Sequence, residues 1–101
     1  TGATSAMLVF DVSRRETFNN INNWLSEMYT AINRKIPVIL VGNKIDLNRT
    51  VSPDDGIACM NKYELKAYIE TSASKDINVE KAFMCLASNS VFPDIEPSII
   101  I

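Results

Sequence analysis

The chain has 101 residues, with 10 Lys plus Arg, 12 Asp plus Glu and no His, and a formal net charge of -2. Hydrophobic residues make up 47% of it and charged residues 22%, which is typical of a globular domain and excludes a disordered or collagen-like chain. The length allows one domain or part of one. A charge near zero gives no case for binding nucleic acid or an acidic membrane surface. The absence of His excludes Ser-His and Cys-His catalysis and every His metal site.

The first predicted element is a strand. Residues 6–12 read AMLVFDV, a short apolar run of the kind that forms a buried strand. Ser13 and Glu16 then have the spacing of a capping box, and apolar residues recur at steps of three or four. We therefore predict a helix from about residue 16 to 31, with Trp24 packing beside its apolar face. That face carries Phe18, Ile21, Leu25, Met28 and Ile32.

The remaining elements follow in alternation. Residues 36–42 form a continuous β-branched run that predicts a second buried strand. After a polar loop, Ser52 as N-cap and Pro53 at the first helical position predict a helix that ends near Lys62. Residues 67–70 predict a third strand, and Asn78 is expected to cap a last helix. The segment after about residue 90 has two prolines and no clear period.

The order β-α-β-α-β-α predicts an α/β fold of three layers, in which a parallel sheet has helices packed on its faces. We divide the chain into a domain over residues 1–90 and a C-terminal tail over residues 91–101. In sheets of this kind, ligands bind outside the carboxyl ends of the strands. Two of the loops at those ends carry notable polar chemistry.

The first of these loops is Asn43-Lys44-Ile45-Asp46, directly after the second strand. A carboxylate there can accept two hydrogen bonds at once from a planar donor edge. Guanine offers that edge through N1–H and its exocyclic amine, whereas adenine presents an acceptor at N1. The stem of Lys44 can cover the base face, and the Asn43 amide can brace neighbouring loops. On the tetrapeptide alone, an ordinary polar loop is an equal alternative.

The second loop is Glu70-Thr71-Ser72-Ala73-Ser74, directly after the third strand. Its small residues let a flat ligand approach the backbone. The Ala73 N–H can donate to a carbonyl such as guanine O6, and Ser72 can orient the Asp46 carboxylate. Turns of this composition are common, so the second loop indicates a ligand site only in combination with the first loop, at the end of the neighbouring strand.

These motifs resemble those of Ras-superfamily small GTPases and are most similar to the Rab branch. Residues 40–47, LVGNKIDL, resemble the family's guanine-specificity motif, and residues 70–73, ETSA, resemble its final nucleotide motif. The resemblance covers roughly residues 2–90 and implies the C-terminal portion of a P-loop NTPase G domain. It further implies binding of GTP and GDP as a molecular switch in vesicle traffic or signalling. The guanine-binding residues that it implies are Asn43, Lys44, Asp46, Ser72 and Ala73.

The chain also departs from the family pattern. The family usually has Lys directly after the Ser-Ala pair, where this chain has Ser74, with Lys75 one place later. No G-x-x-x-x-G-K-[ST] P-loop, no Asp-x-x-Gly and no Gln is present. We therefore assign no catalytic residue and no metal ligand to the chain, and we expect hydrolysis and Mg²⁺ binding only in a complete G domain. Base recognition alone predicts a GDP affinity on the order of millimolar, ~4 kcal/mol.

The expected partners are guanine nucleotide and effector or regulator proteins, without nucleic acid. No apolar run approaches the ~20 residues of a membrane helix, and no C-terminal Cys accepts a lipid. The resemblance therefore implies a cytoplasmic protein without a direct membrane anchor in this chain, peripheral at endomembranes if the complete protein is lipidated. Without the family's first strand, the strand at residues 6–12 has an unpaired edge. That edge predicts marginal stability or self-association.

Two alternatives stay open. One is a truncated or degenerate GTPase-like module that binds a protein partner without catalysis. The other is a different α/β nucleotide or cofactor binder in which both loop motifs are coincidental. Whether the protein is an enzyme is left open as well, because the complete parent resembles a GTPase while this chain alone is expected to be inactive.

Overall fold

The computed structural model describes residues 5–32, 36–84 and 98–100. In chain order, the elements are β1 (Ala6–Asp11), α1 (Arg15–Asn19), α2 (Ile21–Ile32), β2 (Val38–Asn43), α3 (Pro53–Lys62), β3 (Ala67–Glu70) and β4 (Ser98–Ile100). Residues 79–84, between β3 and β4, form the described part of a further helix, which we call α4. The four strands are parallel and lie in the order β1-β2-β3-β4.

Two apolar clusters lie on opposite faces of the sheet, because successive residues of a strand point to opposite sides. Val38 and Leu40 join one cluster, whereas Ile39 and Val41 join the other. Helices α1, α2 and α3 cover the first face, and Ala82 of α4 packs on the second. The predicted three-layer α/β arrangement with a parallel sheet is therefore confirmed.

The helix predicted over residues 16–31 is present as two segments. Asn20 separates α1 from α2, and its φ of -83 and ψ of -5 interrupt the regular helical dihedrals. The prediction of a capping box between Ser13 and Glu16 is wrong, because Arg14 occupies the N-cap position and its side chain caps nothing. Ser13 instead donates to Asp11 Oδ1 through its N–H at 2.8 Å and its hydroxyl at 2.6 Å. A nearby carboxylate has outcompeted the helix for this side chain.

Helix α3 begins and ends as its sequence predicts. The Ser52 hydroxyl accepts from the Asp55 N–H, and the Asp55 side chain accepts from the Ser52 N–H, each at 3.1 Å. This is a complete capping box with Pro at the start of the helix. At the other end, Leu65 N–H bonds Met60 carbonyl at 2.9 Å, and Glu64 adopts the left-handed conformation with a φ of 55. The helix therefore closes with a Schellman motif.

The segment over residues 91–101 was expected to be a tail, but three of its residues form β4. The Cα partners run from Ala67 opposite Ser98 to Ile69 opposite Ile100. A strand of three residues shows no periodicity in the sequence, so only pairing with β3 reveals it. Residues 85–97 lie outside the described part of the chain, and the domain boundary at residue 90 stays a prediction.

Candidate functional site

The two polar loops meet because β2 and β3 are parallel neighbours whose carboxyl ends lie at the same edge of the sheet. Gly42 pairs with Glu70 at the end of the ladder, and the Thr71 N–H continues it by donating to the Gly42 carbonyl at 2.8 Å. Asn43 then links the loops. Its Oδ1 accepts the Thr71 hydroxyl at 2.9 Å and the Ala73 N–H at 3.3 Å.

The Asp46 carboxylate is held by one hydroxyl on each oxygen. Ser72 donates to Oδ1 at 2.6 Å, and Ser74 donates to Oδ2 at 3.1 Å. The Ser72 hydroxyl is fixed in turn by the Lys75 N–H at 3.2 Å. The hydrogen bond from Ser72 is the largest cause that lowers the pKa of Asp46 below its usual range. The group is therefore a charged acceptor at neutral pH, and its oxygens still have lone pairs for a ligand.

Lys44 lies at the turn between β2 and Asp46. Its φ of 65 is left-handed backbone, which costs a non-glycine residue roughly 1–2 kcal/mol. The turn closes with a bond of 3.0 Å from the Leu47 N–H to the Lys44 carbonyl, and the Lys44 amine lies 3.3 Å from Asp11 Oδ2 at the end of β1. Partial burial opposes ionisation of Asp11, but hydrogen bonds from Ser13 and Lys44 prevail and lower its pKa.

An ion pair between the partly exposed Arg49 and the buried Glu70 ties the far end of the first loop to the start of the second. The Arg49 guanidinium donates to both carboxylate oxygens of Glu70, at 3.1 Å on Oε1 and at a shorter distance on Oε2. The Tyr68 hydroxyl donates to the same Oε2 at 2.6 Å. Hydrogen bonding to Glu70 raises the pKa of Arg49, and burial raises the pKa of Tyr68 far above its ordinary value. Both groups therefore keep their protons, and the network stays complete across physiological pH.

Asn78 does not cap α4 with its side chain. Its φ is 60, and its Nδ2 donates at 2.8 Å to the carbonyl of Glu70. Asn78 does stand at the predicted N-cap position, where its carbonyl accepts the Ala82 N–H at 3.0 Å, but its side chain closes the second loop instead of capping the helix. Ser72 and Ile77 complete that closure by exchanging backbone hydrogen bonds of 3.1 and 2.9 Å.

A cavity of about 330 Å³ opens between the two loops. Ser72 is fully buried beneath it and supports Asp46 from below. Four of the five predicted guanine-binding residues reach the wall, together with Leu47 and Ser74, which the prediction did not include. The volume is within the range of small-molecule sites. The lining residues are Asn43, Lys44, Asp46, Leu47, Ala73 and Ser74.

Several supporting residues could not be found from the sequence. Arg49 and Glu70 are 21 positions apart, and Lys44 and Asp11 stand at the ends of two different strands, so no local pattern pairs them. Tyr68 and Glu70 are two residues apart in a strand and therefore lie on the same face of the sheet. This spacing is the one sequence signal that could have paired them. Across residues 5–32, 36–84 and 98–100, no cluster of three or more His, Cys, Asp or Glu side chains is placed to hold a metal ion. Nor does any helix in these ranges have the length and apolar character to span a membrane.

A parallel sheet with helices on both faces, and a cavity across the ends of two adjacent strands, define an α/β domain with a candidate ligand site at the carboxyl edge of its sheet. Comparison with known proteins narrows this class. The sequence model of the Ras family matches residues 1–91. The chain belongs to the Ras family.

Individual relatives point to the Rab branch. The chain is 44% identical over 87 residues to "Ras-related protein Rab11C" of Lotus japonicus, a match that covers 84% of this chain and 40% of the relative. It is 41% identical over 87 residues to "Ras-related protein Rab2BV" of Beta vulgaris, with the same coverage. It is 40% identical over 89 residues to "Ras-related protein RABA2b" of Arabidopsis thaliana, covering 86% of this chain and 41% of the relative. The chain therefore spans about 40% of the length of these relatives.

Proposed function

We propose that this chain is the guanine-nucleotide-binding portion of a Rab-like small GTPase, and that its cavity takes the guanine base of GTP and GDP. The observation that carries the proposal is the Asp46 carboxylate, which lines the cavity with a hydroxyl on each oxygen. A charged, oriented acceptor of this kind suits the two donors of the guanine edge. It would repel the N1 acceptor of adenine and leave its own charge unpaired.

The other predicted residues have distinct parts in this proposal. The Ala73 N–H donates a long bond of 3.3 Å to Asn43, and guanine O6 would compete with Asn43 for this donor. Asn43 keeps the two loops together through its bond to Thr71. The exposed stem of Lys44 would cover one face of the base while its amine stays paired with Asp11.

The activity of the complete protein is part of the same proposal. By analogy with the family, it would bind and hydrolyse GTP and act as a switch in vesicle traffic or signalling, with effector and regulator proteins as partners. Phosphate contacts, Mg²⁺ ligands and hydrolytic residues would come from parts of a G domain other than the residues described above. The proposed location is the cytoplasm, at the periphery of endomembranes where the complete protein carries a lipid.

The proposal is tested by fluorescence titration of the purified chain with labelled GDP, competed separately by unlabelled GDP and ADP. We expect GDP to compete at least tenfold better than ADP, because adenine leaves the Asp46 carboxylate unpaired. Asp46→Ala should abolish the discrimination, whereas Asp54→Ala, which removes an exposed acid at the start of α3, should retain it. Equal competition by GDP and ADP, or no saturable signal, would refute guanine recognition by this chain.

A second candidate function, pairing with another copy of the chain, is favoured by the outer edge of β1. In the described sheet β1 is a terminal strand, and an apolar groove of about 550 Å³ runs between it and α2. Val9 is 54% exposed there, and Trp24, expected to be a packing residue, is 59% exposed. An unpaired edge beside exposed apolar side chains is a template for strand addition.

Sedimentation velocity tests this second candidate. We expect a concentration-dependent dimer, and Val9→Lys should return it to a monomer by placing a charge on the edge. A monomer at all concentrations would contradict it. The two candidates can be tested separately. Guanine discrimination depends on the loops after β2 and β3, whereas dimerisation depends on the outer edge of β1.

A further inference from the structure

Ser74 occupies a distinctive place in the site. It stands directly after the Ser-Ala pair, at the wall of the cavity. Its hydroxyl lies 3.1 Å from Asp46 Oδ2 and 3.4 Å from the Ser72 hydroxyl. Its short side chain contacts the carboxylate that would recognise the base.

The second hydroxyl changes what the carboxylate can do. With Ser72 alone, Oδ1 would be held and the group could still turn about its Cβ–Cγ bond, because terminal torsions of this type are broad. With Ser74 on Oδ2 as well, both oxygens are fixed and so is the plane of the carboxylate. Each oxygen keeps a lone pair for a ligand, since an ionised carboxylate has about four acceptor sites in all.

A fixed plane matters for a bidentate contact. Guanine donates twice to the carboxylate, through N1–H and the 2-amino group, and both bonds are linear only when the base and the carboxylate are coplanar. Hypoxanthine lacks the 2-amino group and donates once, so a single bond tolerates a rotated carboxylate. The orientation of the carboxylate therefore determines the discrimination between these two bases more than it determines the affinity for either.

We propose that Ser74 is a specificity-determining positioning residue, which fixes the Asp46 carboxylate plane and so strengthens the preference for guanine over hypoxanthine. This inference rests on the proposed guanine site and deepens it. It differs from an effect on binding in general, because the hydroxyl acts through Asp46 and not on the nucleotide itself.

The test compares GDP with inosine diphosphate, IDP, on the purified chain and on the variants Ser74→Ala and Ser74→Thr, by competition against labelled GDP. We expect Ser74→Ala to weaken GDP about fivefold and IDP less than about twofold, the scale of one hydrogen bond. The affinity ratio of GDP to IDP should thus fall about threefold, and Ser74→Thr, which keeps the hydroxyl, should restore it. Because Ser74 is exposed, the thermal unfolding temperature of Ser74→Ala should match that of the parent chain.

The outcomes separate this inference from the proposed function. If the parent chain binds GDP in preference to ADP, and Ser74→Ala weakens GDP and IDP equally or raises their ratio, the role of Ser74 is overturned while guanine recognition stands. If the parent chain shows no saturable GDP signal, both are overturned together. A lower ratio in Ser74→Ala that Ser74→Thr fails to restore would also count against the hydroxyl.

Discussion

Gly56 in α3 is the position where a helix-favouring substitution should destabilise the protein. A Cβ at this site would lie 2.6 Å from Cε2 of Tyr68 and closer still to Cε1 and Cζ of the same ring. The Tyr68 side chain is fully buried in the sheet, and its hydroxyl is bound to Glu70. The ring is therefore held at both ends and cannot swing away from the helix.

The magnitude follows from two opposing effects. Replacing a helical Gly by Ala ordinarily stabilises a helix by about 1 kcal/mol. Carbon atoms in contact prefer about 3.5–4.0 Å, so α3 or the ring must shift by roughly 1 Å, and overpacking of a filled core costs about 1–3 kcal/mol, occasionally more. Because the ring is buried and anchored, we expect the upper part of that range. Gly56→Ala should therefore lower the free energy of unfolding by about 2 kcal/mol net.

Urea unfolding followed by circular dichroism measures this effect. Asn61→Ala is the matched control, since Asn61 is an exposed residue of the same helix and its replacement should stabilise α3 by a few tenths of a kcal/mol, about 0.5 at most. In a Tyr68→Leu background, Gly56→Ala should lose most of its cost, because the clashing ring is gone. A Gly56→Ala variant more stable than the parent would refute the reasoning, and so would an undiminished cost in the Tyr68→Leu background.

Three further predictions concern the loops and the end of α3. Arg49→Met should lower the free energy of unfolding by about 3 kcal/mol in urea titrations, because it leaves the Glu70 carboxylate buried without its cation; an unchanged midpoint would contradict this. Glu64→Gly should raise the free energy of unfolding by about 0.5–1 kcal/mol, because glycine adopts the left-handed backbone of the Schellman motif without strain. A lower free energy of unfolding in this variant would contradict the prediction. The pKa of Asp46 is lowered in the fold, so its contribution to stability is present above its unfolded pKa of about 3.9 and is lost as the pH falls through the folded value. Ser72→Ala should raise the pKa of Asp46 towards its ordinary value, as measured by NMR titration of the carboxyl carbon, and a pKa that does not move would contradict the assignment.

The sequence predicted the elements whose signals are local. The strand over Ala67–Glu70 and the helix over Pro53–Lys62 have the predicted bounds, because a short strand-forming run and the N-cap and Pro at a helix start act within a few residues. The pairing of Asp46 with Ser72 also followed from the two motifs, since parallel neighbouring strands end at the same edge. The Ser13 cap failed because a competing acceptor, Asp11, was nearer to the side chain than the helix was.

What the sequence by itself determined is thus the parallel α/β alternation and the placement of two polar motifs after adjacent strands, both of which depend on periodicity and short spacings. Only the tertiary structure decided which distant groups support those motifs. The bond from Ser74 to Asp46 and the ion pair of Arg49 with Glu70 join residues 28 and 21 positions apart. Such contacts depend on where two loops converge in space and on which donors remain there for a buried or charged acceptor, and no local pattern of residues records that.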